Sequence, residues 1–310
     1  MCIECMTYDE LVVTKHTIDD IFEAIGIAKA EGGPMFPYEG AALRKLLQEW
    51  AKATKKAVAS IDEFMTRVEW QDLNAEELRQ LFASLETELG VGFGAAVQAD
   101  ISSLLDKSYR KGKSAILKPK GLPLNFLAID TDAIAWLQEH HIYWIRNFYS
   151  RRLSQGIADI VAEGMAQGLG RVDIGKMLKE AFDGYKGLGV QPEAYWRGLA
   201  ANGMNRSRNF GQIQGYVDAE IKQIEVVAVL DEKTSSICRE LNGKIINVSA
   251  AVRQRDALMA ATRPEDVEQI SPWLSVDEAK GRMRGNVADN VGMPPYHFHC
   301  RTTTVERSAA

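Results

Sequence analysis

Hydrophobic residues recur at helical spacing over about the first two-thirds of this 310-residue chain. The region 39–89 carries two apolar stripes of this kind, one formed by Leu43, Leu46, Leu47 and Trp50 and one formed by Leu73, Leu78, Leu81, Phe82 and Leu85. Apolar residues that return every three or four positions occupy one face of a helix. The sequence therefore predicts amphipathic helices in this region.

The longest helical signal covers residues 132–169. Its first part has the seam of a helix that packs against another helix, because apolar positions step alternately by three and four. These positions are Ile134, Leu137, His141, Trp144 and Phe148. Gly170 is predicted to end the helix, and Asp173 is predicted to cap a shorter helix that follows. Pro192 suits the first position of a further helix that extends to about Ala219.

The pattern changes to that of strands after Ile221. Residues 224–230 are rich in β-branched side chains, and Asn242-Gly243 is a strong signal for a hairpin turn before a returning strand at 244–248. A polar insert, predicted to be helical, separates these strands from a terminal strand at 302–305. The sequence therefore predicts a mainly α fold with a small C-terminal α+β cassette that contains a short β-hairpin and a terminal strand.

Glycine and proline divide the chain into four predicted regions. Residues 1–33 form an arm with one short helix. Residues 34–125 form a helical region in which the glycines at 90–94 interrupt the helices and a basic Pro/Gly connector ends the region. Residues 126–222 form the long-helix region, and residues 223–310 form the cassette.

Composition narrows the class of protein. The hydrophobic fraction of 46% and the charged fraction of 25% are those of a globular protein with a substantial core. The net charge of −5 argues against a surface that is basic throughout, so any contact with nucleic acid must come from a local patch. No secretory signal and no membrane-spanning segment are predicted. Four cysteines do not make a disulfide scaffold, and folding in a reducing cytoplasm is expected.

The cassette contains the residues with the most distinctive chemistry. Cys238 precedes the predicted turn, and His297 and Cys300 follow a diproline. Thiolate and imidazole are the usual ligands of Zn²⁺, and a tetrahedral site would hold together a cassette too small to be stable alone. A fourth ligand would have to come from His299 or Asp231. The alternative is that Asp231 caps a turn and both cysteines are buried as small hydrophobic residues.

These residues also resemble the phage head-morphogenesis family that includes the minor head protein F of phage Mu. The shared pattern is an apolar strand, an Asp-x-x-Thr, a cysteine shortly before a glycine turn, and a distant Pro-Pro-x-His-x-x-Cys-Arg. In this chain the pattern is formed by Asp231, Thr234, Cys238, Gly243, Pro294, Pro295, His297, Cys300 and Arg301. The stretch 170–182 and the helix that carries Asn205, Arg206 and Asn209 are also similar, so the resemblance covers about residues 130–305.

Two positions depart from the family pattern. Many members have a cysteine three residues before the first signature cysteine and another just after the arginine, where this chain has Ser235 and Thr302. The resemblance implies a structural minor capsid protein, with portal, major capsid or scaffold proteins as partners, packaged DNA as a further contact, and the virion as its location. It implies no catalytic residue and no membrane contact, and the departures leave zinc open.

A basic stretch lies outside the cassette. Six cations occur within fourteen residues, and they are Lys107, Arg110, Lys111, Lys113, Lys118 and Lys120. They could contact DNA phosphates, dock on an acidic capsid or portal surface, or form a solvated connector. Tyr109 is the only aromatic residue among them, so base stacking is not supported.

Sequence motifs that would indicate other classes of protein are weak in this chain. Gly170-x-x-x-x-Gly175-Lys176 imitates a phosphate-binding loop, but Met177 stands where Mg²⁺ needs Ser or Thr and no strand precedes it. Cys2-x-x-Cys5 has metal-like spacing in the N-terminal arm and no visible partner pair. The rival readings are a metal-dependent, nuclease-like enzyme built on His297 and His299, a toxin-type transferase, and a generic DNA-binding module.

Overall fold

The structure is a computed structural model that describes residues 38–66, 75–183, 192–232, 234–288 and 291–307. The predicted N-terminal helix and the Cys2-x-x-Cys5 pair lie outside these residues. By contacts, the chain forms two compact units, neither of which is one continuous stretch. The units are described separately below. The four linear regions inferred from the sequence stay a prediction.

The described residues contain ten α-helices and five strands. The helices are α1 (Glu39–Thr66), α2 (Ala75–Glu86), α3 (Phe93–Leu117), α4 (Ala128–Ala166), α5 (Arg171–Phe182), α6 (Pro192–Asp218), α7 (Ser236–Leu241), α8 (Val248–Ala260), α9 (Pro264–Ile270) and α10 (Val276–Gly281). The strands are β1 (Gln223–Val227), β2 (Ile245–Asn247), β3 (Met283–Arg284), β4 (Val287–Ala288) and β5 (Thr303–Glu306). The predicted fold class, mainly α with a small C-terminal α+β cassette, is confirmed.

One unit comprises the described residues within Ala42–Ser102 and Glu139–Trp196. Its core contains an aromatic cluster in which the ring centroids of Trp50 and Phe93 lie 5.3 Å apart and those of Phe93 and Trp196 lie 4.9 Å apart. The predicted stripes supply other core residues, because Leu46, Leu81 and Leu85 are buried. Periodicity alone therefore identified the buried faces of α1 and α2.

Two predicted helix boundaries in this unit are wrong. The glycines at 90–94 do not interrupt the helices, because a π-helical turn, Thr87–Gly92, joins α2 to α3. The Phe93 amide donates to the Glu88 carbonyl, five residues back, so backbone hydrogen bonding continues through the glycines. Asp173 does not cap α5 either. The cap residue is Gly170, and Asp173 lies within the first turn, where a negative charge is favourable.

The other unit comprises the described residues within Met1–Ala41, Ser103–Gln138 and Arg197–Ala310, and it contains the sheet. The strand order is β3-β4-β2-β1-β5. Strand β1 runs antiparallel to β2, with Ile224 opposite Ile246, and antiparallel to β5, with Val226 opposite Thr304. Strand β2 is parallel to β4. The predicted pairing of the hairpin strands is confirmed, but the connection is longer than a tight turn because it includes α7.

The segments of α3 and α6 that belong to this unit approach each other closely. A Cβ atom at Gly112 would overlap the backbone of Arg208, and a Cβ atom at Gly211 would overlap the Tyr109 carbonyl oxygen. Only glycine allows the two backbones to come so near. This close approach fixes the position of that part of α6 relative to α3. No helix among the described residues is long and apolar enough to cross a membrane.

Candidate metal centre

Two short segments bring the cassette cysteines and histidine together. Ser235 is the N-cap of α7, and its hydroxyl accepts a hydrogen bond from the Cys238 amide at 3.2 Å. This cap fixes Cys238 in the first turn of the helix. The second segment follows the cis Pro294–Pro295 bond, and within it the Cys300 amide donates to the His297 carbonyl at 3.1 Å. That turn places the side chains of His297 and Cys300 next to Cys238.

The three predicted ligands Cys238, His297 and Cys300 converge. The Cys238 Sγ lies 3.1 Å from the His297 Nε2 and 3.8 Å from the Cys300 Sγ, and the three ligand atoms all lie within 4.8 Å of one another. Two Zn–S bonds of about 2.3 Å at a tetrahedral angle place their sulfur atoms about 3.8 Å apart. The thiol pair already has this separation, so the two sulfur corners of a zinc tetrahedron fit the side chains present, and His297 lies beside them as a third ligand.

Neither residue that the sequence offered as a fourth ligand joins the cluster. Among the described residues, the group with metal-ligand geometry contains only Cys238, His297 and Cys300. The Asp231 carboxylate instead binds the guanidinium of Arg301, with Nη1 of Arg301 2.6 Å from Oδ2 of Asp231. The ring of His299 packs against Phe298, with the centroids 4.9 Å apart. His299 is therefore not part of the three-residue group, and its tentative assignment as a ligand stays a prediction.

Ser235 lies beside the cluster. Its Oγ lies 2.9 Å from the His297 Nε2, beside the thiol of Cys238. Ser235 occupies one of the two positions at which the family pattern has an additional cysteine. The sequence marked this position only as a departure, and the structure shows that it borders the cluster. A neutral hydroxyl is a much weaker zinc ligand than a thiolate, so three strong ligands are present.

The two thiols ionise very differently. The Cys238 pKa is lowered to about 4, because Cys238 accepts a hydrogen bond from the Cys300 thiol and, secondly, from His297. Burial and the adjacent Cys238 thiolate raise the Cys300 pKa well above its usual value. Burial also lowers the His299 pKa to about 3, which keeps that imidazole neutral. The surroundings therefore favour the thiolate form at Cys238 and the protonated form at Cys300, and a metal would have to displace the proton of Cys300.

The other motif residues shape the loops around the cluster. The Thr234 hydroxyl accepts a hydrogen bond from the Asp231 amide at 2.8 Å and donates to the Asp231 carboxylate at 3.0 Å. Gly243 has a φ of 78°, a left-handed conformation that glycine adopts without strain. The Asp231–Arg301 ion pair ties the loop after β1 to the segment that carries the ligands. These residues order the backbone and do not touch the three ligand atoms.

A contact from α6 also reaches the cluster. The Asn205 side chain is buried, and its Nδ2 donates to the Cys300 carbonyl at 2.7 Å. Its carbonyl oxygens in turn accept from Asn209, one turn further along the helix. The family resemblance marked both asparagines, but the sequence assigned them no role. In the structure they hold the backbone of a ligand residue.

The six cations of the predicted basic contact strip have different environments in the structure. Lys113 is fully buried and ion-paired with Asp130 at 2.9 Å, so it is withdrawn from the predicted contact set. Arg110 pairs with Asp106, and Lys120 pairs with Glu306. Three exposed lysines remain, and they are Lys107, Lys111 and Lys118. Contact of these lysines with DNA or with a partner stays a prediction.

The fold and the cluster together describe a largely helical protein with a small α+β module. Within that module, a thiolate–imidazole group suited to a metal brings together two segments that are far apart in the sequence.

A family model described as phage Mu protein F like protein matches residues 155–305, just under half of the chain. Over this region the chain is similar to the phage Mu protein F-like family, and the resemblance stated from the sequence is confirmed there. Searches of curated proteins and of solved structures found no match.

Proposed function

We propose that this chain is a minor head protein of a bacteriophage, a low-copy structural component that acts in head morphogenesis and enters the virion. The observation that carries the proposal is the family match over residues 155–305, which includes the whole Cys238–His297–Cys300 cluster. This family match supports a role in the phage head and other phage structural proteins as partners. We propose the portal, major capsid or scaffold protein as the direct partner.

We propose further that Zn²⁺ binds Cys238, His297 and Cys300 and acts as a structural staple. The strands of the cassette are only two to five residues long, so the sheet alone buries little apolar surface. A metal at the cluster would join α7 to a segment about 60 residues further along the chain. Such a link contributes metal-binding free energy directly to folding.

The proposed role involves no turnover. Both sulfur atoms belong to buried residues, and no carboxylate belongs to the metal-ligand group among the described residues. A nuclease-like reading needs acidic metal ligands, and the sole attractive carboxylate, that of Asp231, is held by Arg301. The geometry therefore favours a structural site over a nuclease-like centre.

The three exposed lysines suggest how an anionic partner could be bound. Lys107 and Lys111 are one helical turn apart on the same side of α3, and Lys118 directly follows the last residue of that helix, in a short 3-10 turn. An acidic surface of the portal or capsid, or packaged DNA, would have the complementary charge. We propose these three lysines as the electrostatic part of the partner surface.

The proposed function is tested in the phage that carries this gene. The gene is deleted and supplied again as the unchanged protein, as Cys300→Ser, or as the control Cys2→Ser, which leaves the cluster intact. We expect the unchanged protein and the control in purified particles, and strongly reduced incorporation of Cys300→Ser. Absence of the unchanged protein from particles would contradict the proposed function. Normal incorporation of Cys300→Ser would contradict the staple alone.

A further inference from the structure

Cys238 and Cys300 are placed for a second kind of link. Both are free thiols, both are buried, and their sulfur atoms lie 3.8 Å apart with a mutual hydrogen bond. A disulfide needs a sulfur–sulfur separation of about 2.05 Å, so the sulfurs must approach by about 2 Å. No other atom lies between two sulfurs in direct contact. Rotation of the two cysteine side chains would have to supply this approach.

We propose that Cys238 and Cys300 close to a disulfide when the metal is absent and a peroxide is present, so that one thiol pair forms either of two alternative staples. This inference rests on the proposed zinc site, because it describes how that site changes with redox conditions. The two staples exclude each other. Bound zinc occupies both sulfur atoms, and a disulfide leaves neither of them as a thiolate ligand.

The chemistry balances with a peroxide as the only co-reactant. The Cys238 sulfur attacks one oxygen of hydrogen peroxide, the O–O bond breaks, and the departing hydroxide takes up a proton to leave as water. Cys238 is then a sulfenic acid. The Cys300 sulfur attacks the Cys238 sulfur, the S–O bond breaks, and the second hydroxide leaves as water with the proton of Cys300. Two thiols and one peroxide give one disulfide and two water molecules.

Either link would join the same two parts of the cassette. The cysteines are 62 positions apart in the sequence, so a disulfide between them closes a long loop and restricts the unfolded chain. A protein that is assembled in a reducing cytoplasm and later carried in a released particle meets both redox conditions. The disulfide would then maintain the cassette where zinc had been lost to a chelator or to oxidation.

The test uses the full chain with Cys2→Ser and Cys5→Ser, so that only the two cluster thiols remain. The reduced protein is freed of metal, treated with hydrogen peroxide, and then alkylated. We expect both thiols to resist alkylation, the intact mass to fall by two hydrogen atoms, and a reductant to reverse both changes. Prior addition of zinc is expected to preserve the two thiols.

A matched variant with the further change Cys300→Ser identifies the linkage. There we expect Cys238 to stop at sulfenic or higher acids, with no loss of two hydrogen atoms. Oxidation of the parent to sulfinic acid without a cross-link, or two thiols that stay alkylatable, would overturn the disulfide. Zinc binding is measured separately on the reduced protein. A disulfide that forms in a protein unable to bind zinc would support the disulfide step alone, and it would contradict both the zinc proposal and the alternation of two staples.

Discussion

Replacing Lys113 by methionine removes a buried positive charge and keeps most of the side-chain volume. In the structure the Lys113 ammonium donates to both carboxylate oxygens of Asp130 at 2.9 Å and to the Asn125 carbonyl at 2.7 Å. It also lies 2.8 Å from the Asp218 carboxylate. The side chains of Lys113 and Asp130 are completely buried, whereas a quarter of the Asp218 side chain is exposed. One ammonium group therefore balances two carboxylates.

The expected loss of stability depends on which interactions each carboxylate keeps after Lys113 is replaced. Removing one partner of a buried ion pair costs about 3–5 kcal/mol, because the remaining charge is left uncompensated. Asp130 keeps hydrogen bonds from the Tyr109 hydroxyl and the Leu127 amide, both at 2.8 Å, and Asp218 can be rehydrated. We therefore expect Lys113→Met to lower the free energy of unfolding by about 3 kcal/mol, near the lower end of that range.

The assay is urea unfolding followed by far-ultraviolet circular dichroism at neutral pH. Lys111→Met is the matched control, because Lys111 lies on the same helix and is exposed. A surface change of this kind should alter the free energy of unfolding by less than about 0.5 kcal/mol. If Lys113→Met were as stable as Lys111→Met, the reasoning that this lysine is a required counter-ion would be refuted.

Three further substitutions test the packing and the metal cluster. Ser235→Cys adds a third thiolate as a fourth ligand and should tighten zinc binding by at least roughly tenfold in a competition titration with a chromophoric chelator, and unchanged affinity would count against the placement of Ser235. Asn205→Ala frees the Cys300 carbonyl and should lower the free energy of unfolding by about 1–3 kcal/mol, and an unaltered unfolding midpoint would contradict its role. Gly211→Ala should lower that free energy by about 1–3 kcal/mol, whereas Gly281→Ala, which meets nothing within 4 Å, should not.

The sequence predicted the helical faces from local spacing and offered the three ligands from their residue types. The buried positions Leu46 and Trp50 follow from spacing alone. The two cysteines and the histidine left two alternatives open, a shared metal site or separate burial, and in the structure they lie together. The strands β3 and β4 were missed because two residues are too few to show an alternating pattern.

The fourth position of the cluster could not be predicted, because it depends on long-range packing. Asp231 is removed from the site by Arg301, 70 positions away in the sequence. The rings of Phe298 and His299 lie against Gly198 on α6, where any side chain would overlap them. Neither interaction leaves a local signal. The orientation of His299 is thus decided by a glycine about a hundred residues earlier.

Lys113 illustrates the same limit in the basic stretch. Within residues 107–120 it is indistinguishable by sequence from its neighbours, and contact with DNA, docking on an acidic surface and a solvated connector were all left open for it. Its partner Asp130 lies 17 positions further on and on another helix, α4. A buried lysine needs such a partner, but the sequence does not say which of several lysines has one. The structure assigns the buried role to Lys113 and leaves Lys107, Lys111 and Lys118 exposed.

The zinc content of the purified, reduced protein tests the central claim about the cassette most directly. Zinc is measured by mass spectrometry of the metal, in parallel for the unchanged chain, for Cys300→Ser and for the control Cys2→Ser. We predict about one zinc ion per chain in the unchanged protein and in the control, and a loss of most of it in Cys300→Ser. A zinc-free unchanged protein that also fails to take up added zinc, or full retention of zinc by Cys300→Ser, would contradict a staple at Cys238, His297 and Cys300.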